Sequence, residues 1–167
     1  METKPLVILG SNRKNSLTES ITRRALGSTE FDMIDLLDHT IVHYNYDGNY
    51  PAADEFDSII NSILPYNNII FATPVYWYSM SGVMKVFFDR LTDLITIKKD
   101  LGRNLKGKSA SMIAVGADPT YPMVLRYLLS ILRPTWAFSI RVALIMLLSR
   151  KRYRSSGSRL DFIIIVT

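Results

Sequence analysis

The sequence predicts an α/β protein with a doubly wound parallel sheet and helices on both faces. Short, nearly unbroken apolar runs at 5–9, 68–73 and 109–115 are typical of strands buried on both faces of a parallel sheet. Segments with apolar residues at helical spacing separate these runs, and this alternation is the pattern of a parallel sheet with crossover helices. With 167 residues, 48% of them apolar and 21% charged, the chain has the size and composition of one globular domain.

The elements are expected in a regular order over residues 1–120. Strands are predicted at 5–9, 31–36, 68–73 and 109–115, and helices at 17–26, at 53–64 and from residue 81 onwards. Ser16 is expected to cap the first helix, with Glu19 completing a capping box. Pro65 ends the second helix. Residues 39–53 are expected to form a flexible loop that carries His39 and His43 at the surface.

Residues 121–167 do not continue this order. We predict a core over 1–120 and an atypical basic and apolar C-terminal segment over 121–167 of the same domain. That segment holds eight of the 20 Lys and Arg residues and one of the 15 acidic residues, which leaves 12 basic and 14 acidic residues in 1–120. The core is therefore slightly acidic, which argues against a nucleic-acid partner. The apolar run 142–148 is far shorter than the roughly 20 residues of a membrane span, so no membrane partner is expected.

The composition excludes several kinds of site. The chain has no cysteine, so disulfides, thiolate nucleophiles and thiolate metal sites are absent. Two histidines are too few for an ordinary zinc site, and no metal is expected. The N-terminal residues lack a signal-peptide pattern, which predicts a cytoplasmic protein.

The segment Gly10–Thr18 directly follows the first strand and opens the first helix. Free backbone N–H groups and the helix dipole at such a position favour a phosphate. The hydroxyls of Ser11, Ser16 and Thr18 add donors, and Arg13 adds charge. The spacing is neither that of a P-loop nor that of a dinucleotide-binding fingerprint. From this segment alone, an ordinary capped helix with Arg13 in solvent is an equally good interpretation.

A second segment, Thr73–Tyr78, follows the third strand and joins a proline to three successive aromatic residues. Their rings suit a flat ligand, whereas the alternative is packing against neighbouring helices. Three successive rings cannot all face inward, which weakens that alternative. The carboxyl ends of parallel strands share one edge of the sheet, where ligands bind. Together the two segments predict a mononucleotide with a planar head, FMN above all.

Gly10–Thr18, Thr73–Gly82, Lys85 and Asp89–Leu91 resemble the NAD(P)H-dependent FMN reductases and quinone reductases of the flavodoxin-like fold. The match in order and spacing covers about 4–120. It implies a flavodoxin-like fold, FMN as cofactor, NAD(P)H as co-substrate, a small-molecule acceptor such as a flavin or quinone, and a homo-oligomer, either dimer or tetramer. The FMN ligands that it implies are Ser11, Arg13, Ser16, Leu17 and Thr18 at the phosphate, Pro74, Val75, Tyr76 and Trp77 at the isoalloxazine, and Gly116 in a third loop.

The resemblance also bears on residues outside the cofactor site. Lys85, Asp89 and Arg90 are implied to be structural or to lie at a subunit contact, and a solvated helix face is the alternative. Because the flavin carries the electrons from NAD(P)H to the acceptor, no catalytic acid or base is expected from the protein.

Two alternatives to a reductase stay open. One is a flavin-binding electron carrier that does not oxidise NAD(P)H, and the other is an inactive truncated or frame-shifted relative. The second arises because family members continue after the fourth strand with a helix, a fifth strand and a closing helix, which 121–167 do not resemble. Without a fifth strand, the fourth strand is expected to be an exposed sheet edge.

Overall fold

The sheet forms from the apolar runs of the sequence. A computed structural model describes residues 4–116, 139–148 and 163–166. Its strands are β1 (Leu6–Leu9), β2 (Asp32–Asp35), β3 (Asn68–Tyr76), β4 (Ser79–Met80), β5 (Ser109–Gly116), β6 (Ser139–Leu148) and β7 (Ile163–Val166). The sheet runs in the order β2-β1-β3-β5-β6-β7, in which the first five are parallel, β7 is antiparallel to β6, and β4 pairs with β3. This is the flavodoxin-like strand order, which confirms the predicted fold class.

Helices cover both faces of the sheet. They are α1 (Leu17–Leu26), α2 (Phe56–Ile63), α3 (Gly82–Arg90), α4 (Asp93–Thr96) and α5 (Lys99–Arg103), and Leu36–Asp38 forms a 3₁₀ turn. β1 is buried on both sides: Leu6 and Ile8 pack in the cluster that contains α2 and α3, whereas Val7 and Leu9 pack with α1. No helix in the described ranges has the length and hydropathy needed to cross a bilayer.

Two predicted boundaries are wrong for local reasons. α2 begins at Phe56 and not at residue 53, because the carboxylates of Asp54 and Glu55 accept hydrogen bonds from the backbone N–H groups of Val42 and Thr40 and fasten the preceding loop. β3 continues beyond residue 73 to Tyr76, because β4 folds back and pairs with it. The segment predicted as a loop after β3 is therefore half strand.

The expected exposed edge at β5 is also wrong. β6 pairs in parallel with β5 from Ser109↔Ser139 to Gly116↔Leu148, with one irregularity between Ala110 and Met112. β7 then covers the outer edge of β6. The run 142–148, too short for a membrane span, supplies most of a fifth parallel strand. The basic residues of 150–159 lie outside the described residues.

Candidate functional site

Loop 1, residues 10–18, is fixed at both ends. The Gly10 N–H donates to the Ala72 carbonyl at 2.8 Å, which holds the start of the loop against β3. Asn15 has φ of +49°, a left-handed conformation that asparagine tolerates. Ser16 Oγ then accepts from the Glu19 N–H at 3.2 Å and caps α1, as predicted. The reciprocal half of the capping box is not seen among the described contacts, because the Glu19 carboxylate accepts from Arg23 instead.

Loop 1 keeps several unpaired donors. Ser11 and Thr18 have little exposed surface as whole residues, and within the described ranges their hydroxyls form no hydrogen bond. The Arg13 guanidinium likewise has no carboxylate partner there, and its side chain is exposed. Lys14 differs, because its hydrogen bonds to Asp35 at 2.8 Å and Asp38 at 2.5 Å raise its pKa and keep it protonated, while the two carboxylates compensate its positive charge. The positive charge left for an anion in this loop is therefore that of Arg13.

The aromatic segment forms a hairpin. Val75 pairs with Met80 and Tyr76 with Ser79, so Trp77 and Tyr78 form the turn between β3 and β4. Pro74 and Val75 are buried, whereas Tyr76, Trp77 and Tyr78 are 51%, 92% and 54% exposed. The prediction that the three rings do not all face inward is confirmed. The hairpin itself was not predicted, because its turn lacks the usual Asn-Gly or Asp-Gly signal.

Ser81 joins this hairpin to loop 1. Its Oγ donates to the Gly10 carbonyl at 2.6 Å and accepts from the Met84 N–H at 3.1 Å, which caps α3. Its backbone N–H donates to Thr73 Oγ1 at 3.0 Å. The sequence pattern predicts Ser81 only as the start of a helix, and a serine just before a helix is a usual signal of its N-cap. The bond to Gly10 depends on tertiary structure and has no local signal.

Three adjacent strand ends therefore lie at one edge of the sheet. A Cβ on Gly10 would lie 2.7 Å from Met84 Cβ, so only glycine lets loop 1 rest on the first turn of α3. β5 ends beside β3, where Val115 pairs with Pro74. Gly116 follows at the end of β5, and the residues after it lie outside the described ranges. The structure thus brings the predicted residues of β1, β3 and β5 to the same edge of the sheet.

Known proteins of this fold identify the family. Residues 3–142 match the model of the NADPH-dependent FMN reductases. The chain belongs to this family. It is 34% identical over 122 residues to YwqN of Bacillus subtilis, named as an NAD(P)H-dependent FMN-containing oxidoreductase, and the match covers 69% of this chain and 67% of that protein.

Solved structures agree with this assignment. The Trp repressor binding protein from Bacillus subtilis is 26% identical with a TM-score of 0.67, over 87% of this chain and 84% of that one. An FMN-dependent NADH-azoreductase from Bacillus anthracis, solved with FMN, shares the fold at 11% identity and a TM-score of 0.56, over 85% and 87% of the two chains.

Membership of the FMN reductase family makes this chain an oxidoreductase that uses FMN and NAD(P)H. The residues of loop 1 fit the cofactor's phosphate. The hydroxyls of Ser11 and Thr18, which form no hydrogen bond among the described residues, and the unpaired charge of Arg13 are donors suited to a phosphate group. Thr18 lies in the first turn of the ten-residue helix α1, and Ser11 and Arg13 lie in the loop that leads into it.

Arg90 is a structural residue that the sequence pattern conceals. Its side chain is 0% exposed and donates to both oxygens of Asp54 at 2.8 and 2.9 Å, to Asp93 at 2.8 Å and to the Val42 carbonyl at 2.9 Å. Its guanidinium lies 3.4 Å from the ring centroid of Tyr50. The alternative of a solvated helix face is therefore wrong for Arg90. Lys85 and Asp89, by contrast, form a partly exposed ion pair on the outer face of α3.

The Arg90 network also fastens loop 39–55. Val42 and Asp54 lie near opposite ends of this loop, and both bind the same guanidinium. His39 Nδ1 lies 3.1 Å from Glu55 Oε1, whereas His43 is exposed. The loop is thus held by hydrogen bonds, unlike the flexible loop expected from the sequence.

Between this loop and α3 lies a groove of about 360 Å³, and its lining is Leu36, Leu37, His39, Ile41, His43, Gly82, Val83 and Val86.

Proposed function

We propose that this protein is an FMN-dependent NAD(P)H oxidoreductase that passes electrons to a small acceptor such as a flavin or a quinone, with FMN held between loop 1 and the β3–β4 hairpin. The observation that carries the proposal is the position of Ser81, which bonds to Gly10 of loop 1 and to Thr73 of β3 at once. That residue makes the phosphate-binding loop and the aromatic hairpin two walls of one crevice.

The phosphate is proposed to bind Ser11, Arg13, Ser16, Leu17 and Thr18. Leu17 and Thr18 begin α1, where backbone N–H groups have no carbonyl partner within the helix. Ser16 contributes its backbone N–H, because its hydroxyl already accepts from Glu19. Arg13 supplies the free guanidinium. Loss of Arg13 should therefore weaken the binding of FMN more than the binding of a flavin without phosphate.

The isoalloxazine is proposed to lie against Pro74, Val75, Tyr76 and Trp77, with Gly116 at the neighbouring strand end. Bound FMN supplies the redox chemistry. The protein positions the ring and leaves a face open to the second substrate, and the proposal assigns no catalytic acid or base to it. All these residues lie within 1–120, which we propose as the FMN-binding core, with 121–167 a segment of the same domain.

Anaerobic reduction separates this function from the two alternatives. The chain, reconstituted with FMN, should lose its yellow flavin absorbance when NADPH or NADH is added, and should regain it when a quinone follows. A chain that holds FMN but is not bleached by either nucleotide would be an electron carrier. A colourless chain that takes up no added FMN would be an inactive relative.

We further propose that two copies associate through the α3 face. Leu37 is 40% exposed beside the groove, and Val83 and Val86 are half-buried in it. Lys85 and Asp89 lie four residues apart on the same helix and carry opposite charges. In a two-fold pair of antiparallel α3 helices, each lysine can face the partner's carboxylate, which makes this surface self-complementary.

A further inference from the structure

Two of the eight asparagines in this chain are followed by serine, Asn15-Ser16 in loop 1 and Asn61-Ser62 in α2. The other six precede a larger residue, and none precedes glycine. Asparagine before a small residue is prone to lose ammonia spontaneously, because the next backbone nitrogen can reach its side-chain carbonyl carbon; this is one reason why asparagine is thermolabile. The same reactive dipeptide therefore stands at two places in the fold.

The two pairs differ in the state of the attacking nitrogen. Within the described ranges, the Ser16 N–H has no acceptor and the Asn15 side chain forms no hydrogen bond. Ser62 lies inside α2, where backbone N–H groups pair with carbonyls one turn earlier, and its hydroxyl donates to the Ser58 carbonyl at 2.9 Å. Both asparagines are exposed, so exposure does not distinguish them. The unpaired Ser16 nitrogen makes Asn15 the more reactive of the two.

Asp47-Gly48 in loop 39–55 is a further pair that can form the same ring, but its nitrogen is occupied. The Gly48 N–H donates to Asn45 Oδ1 at 2.8 Å and to the Asn45 carbonyl at 3.3 Å. Ring closure there must break these bonds first, and reopening restores a carboxylate without a change in charge. Loop 1 is therefore the place where this chemistry alters the charge of a candidate binding site.

We propose that Asn15 is a spontaneous deamidation site of the flavin-free protein and that bound FMN protects it. The proposal rests on the proposed function, because it takes the Ser16 N–H as a ligand of the FMN phosphate. The Ser16 nitrogen gives its proton to hydroxide and attacks Asn15 Cγ. The new N–C bond forms, the bond from Cγ to the side-chain amide nitrogen breaks, and ammonia leaves. Water then opens the succinimide to aspartate or isoaspartate, so the net change is gain of water and loss of ammonia.

Deamidation places a carboxylate two residues from Arg13. Aspartate tolerates the φ of +49° at position 15 as asparagine does, so the aspartyl product keeps the loop conformation. Its charge repels a phosphate and competes for the guanidinium of Arg13. A bound phosphate in turn suppresses the reaction, because an anion at the Ser16 N–H disfavours loss of its proton. The empty protein therefore ages into a form that binds FMN more weakly, whereas the loaded protein is preserved.

The rates of deamidation at Asn15 and Asn61 test the proposal. The flavin-free chain is incubated at mildly alkaline pH, and peptide mass spectrometry follows the gain of one mass unit at each position. Asn15 should react at least about ten-fold faster than Asn61, the matched control, because α2 must open before Ser62 can react. FMN at about a hundred times its Kd should slow Asn15 about 100-fold, since only the empty fraction reacts. Riboflavin at the same saturation should slow it less than about three-fold, because it carries no phosphate. Equal rates at the two asparagines, or equal protection by the two flavins, would overturn the proposal.

Variants test the consequence for the cofactor. Asn15→Asp carries the charge of the product and should raise the Kd for FMN about ten-fold while leaving the Kd for riboflavin within about two-fold. Asn61→Asp should change neither. Asn15→Gly, which accepts positive φ and cannot deamidate, should keep its FMN affinity through the incubation that weakens the natural chain. Unchanged FMN affinity in Asn15→Asp would overturn the proposal. Failure of the proposed function looks different: the fresh natural chain would bind no FMN or would not be bleached by NADPH, whereas Asn15 in the flavin-free chain would still react faster than Asn61.

Discussion

At the scale of single residues, Gly10 decides whether the two walls of the crevice can meet. Its carbonyl accepts from Ser81, and its Cα lies so close to α3 that an added Cβ would stand 2.7 Å from Met84 Cβ and 2.8 Å from Met84 Cε. The Met84 Cβ cannot move without the helix. Glycine is therefore required by close packing and not by backbone conformation.

Gly10→Ala should lower the free energy of unfolding by about 1–3 kcal/mol, because loop 1 must lift away from α3. Urea denaturation measures this. Gly82→Ala is the matched control: a Cβ there meets nothing within 4 Å, so the change should be neutral or stabilise by up to about 1 kcal/mol. Equal effects of the two substitutions would contradict the close contact between loop 1 and α3.

Residues also show where prediction from sequence ends. The capping role of Ser16 is local and was predictable from the residues around it. The bond from Ser81 to Gly10 spans 71 positions, and nothing near Ser81 signals it. Trp77 and Tyr78 adopt positive φ, which bulky L residues disfavour, because tertiary contacts below the turn override this local backbone preference.

At the scale of elements, one buried ion cluster fixes loop 39–55 against α3 and α4. Burial alone would raise the pKa of Asp54, but hydrogen bonds from Arg90 and the Val42 N–H, together with the charge of Arg90, hold it below its ordinary value of 3.8. A carboxyl with a lowered pKa in the folded state stabilises that state above its unfolded pKa. This stabilisation is lost as the pH falls through the folded pKa.

Asp54→Asn should therefore lower the free energy of unfolding at pH 7 by about 2–4 kcal/mol, because Arg90 stays buried with one partner fewer. As the pH falls below about 4, the variant should lose stability less steeply than the natural chain. Asp100→Asn, which removes an exposed ion pair with Arg103, should cost at most about 1 kcal/mol. Parallel stability curves for Asp54→Asn and the natural chain in acid would show that this carboxylate does not anchor the loop.

The elements themselves were predictable to differing degrees. β1 and α1 follow from an apolar run and a cap, both of which are local. The burial of Arg90 was not predictable, because its partner Asp54 lies 36 positions upstream in a segment without regular structure. β6 escaped prediction because Arg141 interrupts its apolar run and its strand character comes from pairing with β5.

At the scale of the whole molecule, the strand order determines where a ligand can bind. β1 lies between β2 and β3 in the sheet. The chain therefore places β2 on one side of β1 and β3 on the other, which makes the carboxyl end of β1 the point where the strand order reverses. Loop 1 starts at this switch point, and the hairpin starts at the neighbouring strand. The edge of the sheet at which loop 1 and the hairpin lie was predictable from the sequence for this reason, whereas the hydrogen bonds that join loop 1 to the hairpin were not.

The proposed pairing of two copies through α3 can be tested by charge. Val86→Arg places a cation in the groove between α3 and loop 39–55, and it should convert a dimer to a monomer because an unpaired charge is not buried without a large penalty. Sedimentation equilibrium measures the mass. Ile97→Arg, at a 55% exposed position just after α4 and outside the lining of that groove, should leave the mass unchanged. An unaltered dimer in Val86→Arg would place the subunit contact elsewhere.

Loop 1 is proposed to hold the phosphate of FMN beside the hairpin that Ser81 joins to it. Titration of the purified chain with FMN and with riboflavin, followed by flavin fluorescence, tests it most directly. We expect FMN to bind at least about 100-fold more tightly than riboflavin, and Arg13→Gln to reduce this preference about ten-fold or more by removing one charge-assisted interaction. Arg23→Gln, on the outer face of α1, should not change it. Equal affinity for the two flavins, or no binding of either, would contradict the claim.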